Sequence, residues 1–182
     1  MNILELDFRY PMVKGVFTAL TESLRSLEKE VQNSGIDFDI EFLVEKAEWV
    51  LGIAFVTAQT YITGTVTDAS RLMKGKAAVS KKQLSKDCSK LVEGTEFTEI
   101  ELCDAIANYF KHHEEWETWE PNSRNKTTIL TLAKIGITNK TSFPCYQTAV
   151  KLWPEEKVAD LDYLLEILVN WRTKAINSLI ME

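Results

Sequence analysis

The chain has 182 residues, 45% apolar and 26% charged, with only 7 Gly and 4 Pro; that is enough for one hydrophobic core, and too few breakers for a fold rich in turns. Its formal net charge of −6 argues against broad, non-specific affinity for nucleic acid and confines any RNA contact to a local patch. Cys88, Cys103 and Cys145 are odd in number and widely spaced, with no CxxC pair, which indicates neither a disulfide framework nor a zinc knuckle. The acidic start, Met1 to Arg9, lacks the basic region and apolar run of a secretion signal, so a cytoplasmic protein is expected.

Pro11 suits a first helical turn, and Val13, Val16, Phe17, Leu20, Leu24, Leu27 and Val31 follow at three- and four-residue steps. This spacing predicts a helix over about 11–33, stopped by Asn33-Ser34-Gly35. Asp37 or Asp39 can cap a second helix, about 37–65, carrying Phe42, Leu43, Ala47, Val50, Leu51, Ala54, Phe55, Ala58 and Tyr61; it is apolar almost all round and therefore central. Its uncharged run from Trp49 to Thr67 is diluted by Gly52, Thr57, Gln59, Thr60, Thr63, Gly64 and Thr65, so a buried helix is expected and not a membrane span. A lysine-rich connection fills about 71–96, with a short helix from Lys81 to Val92 ahead of Gly94. The third main helix, about 98–114, opens on Thr98 with Glu101 three residues on, the pattern of a capping box. Trp116, Trp119 and Pro121 interrupt before a short helix from Ser123 to Ile135, and 136–154 reads as irregular. A last helix, about 155–180, lays Val158, Leu161, Leu165, Leu168, Ala175 and Leu179 on one stripe, into which Arg172 also falls. No strand alternation competes, so residues 1–182 are expected to form one all-α domain, an antiparallel four-helix bundle with additional short helices.

Charge is unevenly distributed. Between Arg71 and Lys90, seven basic residues face the single acid Asp87, a net +6; between Glu93 and Glu120, nine acids face Lys111, a net −8. Lys81, Lys82 and Lys86 are the candidate contacts to an RNA backbone; a solvated loop whose charges maintain solubility has the same composition.

The only two histidines, His112 and His113, end the third main helix. At about 100° per residue, Leu102, Ile106, Tyr109, Phe110 and His113 share one side, and Glu101, Asp104, Asn108, Lys111 and His112 the other. His113 therefore reads as a core or capping histidine. His112 is the candidate proton-transfer group, with Asn108 and Asp104 one and two turns back to orient its ring and Lys111 to attract a phosphate. A solvent-facing stripe of a bundle helix would look the same. The Glu-x-x-His and His-Glu-x-x-His spacings of helical metal sites are absent around His112, Cys103 faces away from it, and the isolated glycines form no phosphate-binding loop, so neither a metal nor a nucleotide cofactor is expected.

The order Ala107-Asn108-Tyr109-Phe110-Lys111-His112 resembles the arginine, polar residue, three residues, histidine motif of the HEPN superfamily. Members are small helical proteins, many of them metal-independent ribonucleases of toxin–antitoxin and phage-defence systems that usually act as dimers. The resemblance implies that Asn108 fills the polar position and His112 that of the catalytic histidine. The chain departs from the motif at Ala107, where the family has arginine, and no arginine lies between Arg71 and Arg124; Lys111 and Arg172 are the candidate substitutes. Two functions are thus expected from the residues. One is a non-catalytic or degenerate HEPN-like protein that binds a protein partner, or a second copy of itself, through the acidic segment Glu114 to Glu120 with Trp116 and Trp119. The other is a metal-independent endoribonuclease using His112 with Asn108, Lys111 and Asp104. Neither implies a membrane or a small-molecule cofactor.

Overall fold

The computed structural model describes residues 7–33, 40–73, 79–116 and 118–180. In chain order they form α1 (Tyr10–Asn33), α2 (Ile40–Leu72), α3 (Lys81–Cys88), α4 (Glu99–His112), a 3-10 turn at His113–Glu115, α5 (Lys126–Lys134), α6 (Pro144–Leu152), a 3-10 turn at Glu155–Lys157, and α7 (Asp162–Ile180). The fold is all-α; among the described residues β pairing is limited to one isolated bridge between Leu91 and Thr98. The proposed caps Asp37 and Asp39, the stop at Ser34-Gly35, and Lys74, Lys76 and Glu117 lie outside the described residues.

The hub is α2. It packs against α1, α4, α6 and α7, burying Leu51, Ala54, Phe55, Ala58, Tyr61, Ile62, Thr65 and Ala69 along one stripe. Its length and its mean hydropathy of 1.3 would suit a membrane span on composition alone, but its buried stripe lies inside the bundle. The helix runs to Leu72, beyond the expected end near residue 65; the segment from Thr65 to Leu72 holds no glycine or proline. Gly52 makes room for a side chain of α4: a Cβ there would stand 2.1 Å from the Phe110 ring.

The capping box of α4 forms as its sequence predicts. Thr98 Oγ1 accepts the Glu101 N–H at 3.3 Å, and Glu101 Oε2 accepts the Thr98 N–H at 2.9 Å. The short helix expected from Lys81 to Val92 ends at Cys88, and two later stretches also differ. Residues 136–154 contain α6, started by Pro144 in its first turn and by a carboxylate from elsewhere in the chain: Glu48 of α2 accepts the N–H groups of Cys145 and Tyr146. The last helix begins at Asp162 and not near residue 155, because Asp160 Oδ1 accepts the Asp162 N–H at 3.2 Å and the Leu161 N–H goes to Thr21 Oγ1. Arg172 is 3% exposed. Its Nε lies 2.8 Å from Asp7 Oδ2, too misaligned for a hydrogen bond, and its Nη1 lies 3.3 Å from Asp68 Oδ2.

Candidate functional site

Asp104, Asn108 and His112 follow one another at four-residue steps on the polar side of α4, and the structure gives each a different neighbour. Asp104 ion-pairs with Lys81 of α3 and accepts from Gln59 Nε2 of α2 at 2.7 Å. Asn108 Oδ1 accepts from the same Gln59 Nε2 at 2.9 Å. His112 ends α4, and the chain turns tightly through His113–Glu115, bringing Glu115 Oε1 to 3.3 Å from His112 Nδ1. A carboxylate only accepts, so Nδ1 carries a proton, and in the neutral ring the lone pair is on Nε2. The ring is thus held by Glu115, while Asp104 and Asn108 turn toward Gln59. Both groups of the His112–Glu115 pair are exposed, and the contact sets a tautomer more than it stabilises the fold.

Asn108, His112 and Glu115 line a groove of about 610 Å³ together with Asn122, Ser123 and Arg124. The Asn122–Arg124 part of this lining is pinned by paired asparagines. Asn122 Oδ1 accepts the N–H groups of Arg124 and Asn125 at 2.8 and 3.2 Å, and the buried Asn125 returns its Oδ1 to the Asn122 N–H at 2.7 Å. This Asx turn leads into α5 and fixes the backbone from which Arg124 projects. Arg124 is exposed and has no ion-pair partner among the described residues. Arg124 is absent from the sequence-derived candidates; its signal was the Asn122-Ser-Arg-Asn125 turn, not a helical motif.

The other candidates lie elsewhere. Ala107 is 0% exposed, packed in the core, and is not among the residues that line the groove. Arg172 is engaged with Asp7 and Asp68 and does not line it. Lys111, Lys82 and Lys86 are exposed outside the groove, and Lys81 is taken up by Asp104. Trp116 and Trp119 are half-buried and pack on each other and on Tyr109, with ring centroids 5.6–5.9 Å apart. His113 stacks on Tyr109 at 4.5 Å and donates from Nδ1 to the Tyr109 carbonyl, so it closes the helix end.

Chemically, the groove offers a guanidinium, a carboxylate, two amides, hydroxyls and an imidazole. Burial pushes the thiols of Cys103 and Cys145 well up, as does the proximity of Glu99 to Cys103 and of Glu48 to Cys145; both are unsuited to act as nucleophiles. Among the described residues no group of three or more His, Cys, Asp or Glu side chains is placed to hold a metal ion. No family model, no curated protein and no solved structure matches the chain.

Proposed function

We propose that this groove binds the backbone of single-stranded RNA and cleaves it without a metal, as a cytoplasmic, HEPN-like endoribonuclease of the toxin–antitoxin or phage-defence type. The observation that carries the reading is that Arg124 lines the same groove as His112 and Asn108, supplying from the start of α5 the cation that Ala107 lacks. His112 Nε2 takes the proton of a ribose 2′-hydroxyl as that oxygen attacks the adjacent phosphorus. Arg124 and Asn108 hold the non-bridging oxygens as charge builds on them. The bond to the 5′-oxygen breaks, leaving a 2′,3′-cyclic phosphate and a 5′-hydroxyl protonated by solvent. The test is cleavage of unstructured RNA in the presence of EDTA, with His112→Ala and Arg124→Ala as controls and the DNA of the same sequence as a substrate that cannot react. Cleavage of RNA alone, lost in both variants, supports the reading; no cleavage of varied RNAs, or equal cleavage by His112→Ala, overturns it.

A second reading is favoured by a different observation. Phe8 and Met12, four residues apart, are 81% and 73% exposed, and neighbouring exposed apolar side chains are the kind of surface that association covers. On this reading the chain is a non-catalytic bundle that binds a protein partner or a second copy of itself, and a purified protein that is inert toward RNA yet dimeric in sedimentation would favour it.

A further inference from the structure

Resting on the RNA reading of the groove, we propose that Gln59 is a positioning residue that fixes the Asn108 amide with its NH2 toward the groove, so that Asn108 offers a donor, and not an acceptor, to a phosphate oxygen. The argument runs along a chain of hydrogen bonds whose direction is forced at one end. Asp104, ion-paired with Lys81, is a carboxylate and can only accept. Gln59 therefore meets it with Nε2, at 2.7 Å. The same nitrogen meets Asn108 at 2.9 Å, so the atom Asn108 turns to α2 is its acceptor, Oδ1. That leaves Nδ2, with two N–H donors, for the groove that Asn108 lines. An unrestrained asparagine presents either end of its amide to a ligand; this one presents the donor. The Arg124 guanidinium, from another residue lining the same groove, is also donor-only. A ligand that meets both must supply acceptor oxygens, as a phosphodiester does. Lys81 and Asp104 thereby belong to the site through Gln59, without touching the ligand.

The substitution Gln59→Glu reverses the chain when it is made together with Asp104→Asn, so that two carboxylates do not meet at 2.7 Å; Gln59→Glu below means this pair. The carboxylate at position 59 can only accept, so Asn108 must turn its NH2 toward α2 and its carbonyl toward the groove. Gln59→Met, of similar length and without a donor, removes the restraint without imposing the opposite one. Two readouts separate the orientation from the RNA reading. The first is hydrogen exchange of the side-chain amides by NMR on the free protein: in the wild type the Gln59 NH2 is protected and the Asn108 NH2 exchanges freely, and in Gln59→Glu the Asn108 NH2 becomes protected. The second is affinity for a 2′-O-methyl RNA oligonucleotide, which binds but cannot react. Losing a hydrogen bond to a charged group corresponds to about a 10- to 100-fold weaker Kd. We expect that loss in Gln59→Glu, less in Gln59→Met, and no further effect of Gln59→Glu on an Asn108→Ala background. The pH profile of cleavage should stay that of the wild type, since His112 is untouched. A wild-type Asn108 NH2 that is protected, or a Gln59→Glu effect that persists in Asn108→Ala, overturns the inference whatever RNA does. The expected amide pattern in a protein with no affinity for the oligonucleotide overturns the RNA reading and the phosphate contact, and leaves only the orientation.

Discussion

Glu48 on α2 accepts the backbone N–H of Cys145 at 2.7 Å, across 97 residues of sequence, and so starts a helix that its own segment does not cap. The second oxygen accepts the Tyr146 N–H at 2.9 Å. Burial is the main influence on this carboxyl and pushes its pKa up, against the two backbone hydrogen bonds that pull it down. Glu48→Gln keeps one acceptor oxygen and loses the other, which should cost about 1–3 kcal/mol, read as a lower denaturation midpoint. The pH dependence has a definite sign. A group whose folded pKa is raised contributes most below its unfolded value of 4.5 and loses that contribution as pH rises through its folded value. The stability gap between wild type and Glu48→Gln should therefore narrow as pH climbs from about 4.5 toward neutrality; a gap that widens would show the hydrogen bonds outweighing burial.

Much of the fold was legible because it is local. The Thr98–Glu101 box and the Val13, Phe17 and Leu24 part of the α1 stripe lie within a few turns of chain and form as the sequence predicts, whereas Val16 and Val31 of that stripe are exposed, and α2 is central through one stripe only, with Phe42, Trp49 and Ile53 exposed. What escaped was set at a distance. The cap of α6 is Glu48, and periodicity within 136–154 holds no trace of it. The start of α7 was placed too early because Val158 continues the apolar spacing of the stripe, whereas Asp160 stops and restarts the backbone. At the site, the sequence identifies the polar side of α4 but not the partners its residues choose. Asp104 and Asn108 read as supports for His112 because they share its face; Gln59, on another helix, claims both. Arg124 was hidden because an arginine in a turn carries no periodicity.

Arg172 tests how much of the fold rests on a buried charge. Its guanidinium lies beside Asp7, Asp68 and Thr65, and Asp7 also accepts from Tyr61, whose phenol burial and Asp7 push far up, so that it stays a donor. Arg172→Met leaves the Asp7 carboxylate buried without its main cation, at a cost of about 3–5 kcal/mol. Thermal unfolding should show it directly. Pairing it with Asp7→Asn should recover part of the loss, because the charge left behind is then removed. At a temperature where Arg172→Met is still folded, its affinity for 2′-O-methyl RNA should match wild type, since Arg172 does not line the groove.

Placing the arginine of the HEPN motif at Ala107 should fail. Ala107 is packed in the core, so Ala107→Arg must bury an unpaired guanidinium and displace the side chains around it, costing about 3–5 kcal/mol or more. The expected product is a protein with a strongly lowered Tm and no gain in RNA cleavage. A folded Ala107→Arg with raised activity would mean that this position can reach the groove and that Arg124 is not the working cation.

Within the groove, the proposed roles predict unequal losses. His112→Gln preserves shape but removes the basic nitrogen, and should remove cleavage while leaving 2′-O-methyl RNA binding within a few fold. Arg124→Ala should weaken that binding about 10- to 100-fold, as expected for a lost hydrogen bond to a charged group. It should also flatten the dependence of log Kd on log salt by about 0.7, the share of one phosphate contact on a single strand. Arg124→Lys keeps the charge but not the planar fork, so it should preserve the salt slope while recovering only part of the affinity. Glu115→Gln acts only on the tautomer of an exposed ring, and exposed pairs are worth about 0–1 kcal/mol, so its effect on kcat should stay below about fivefold. If Arg124→Ala leaves both affinity and salt slope unchanged while His112→Gln is inactive, another cation faces the phosphate, and Lys111, exposed one residue before His112, is the next to replace.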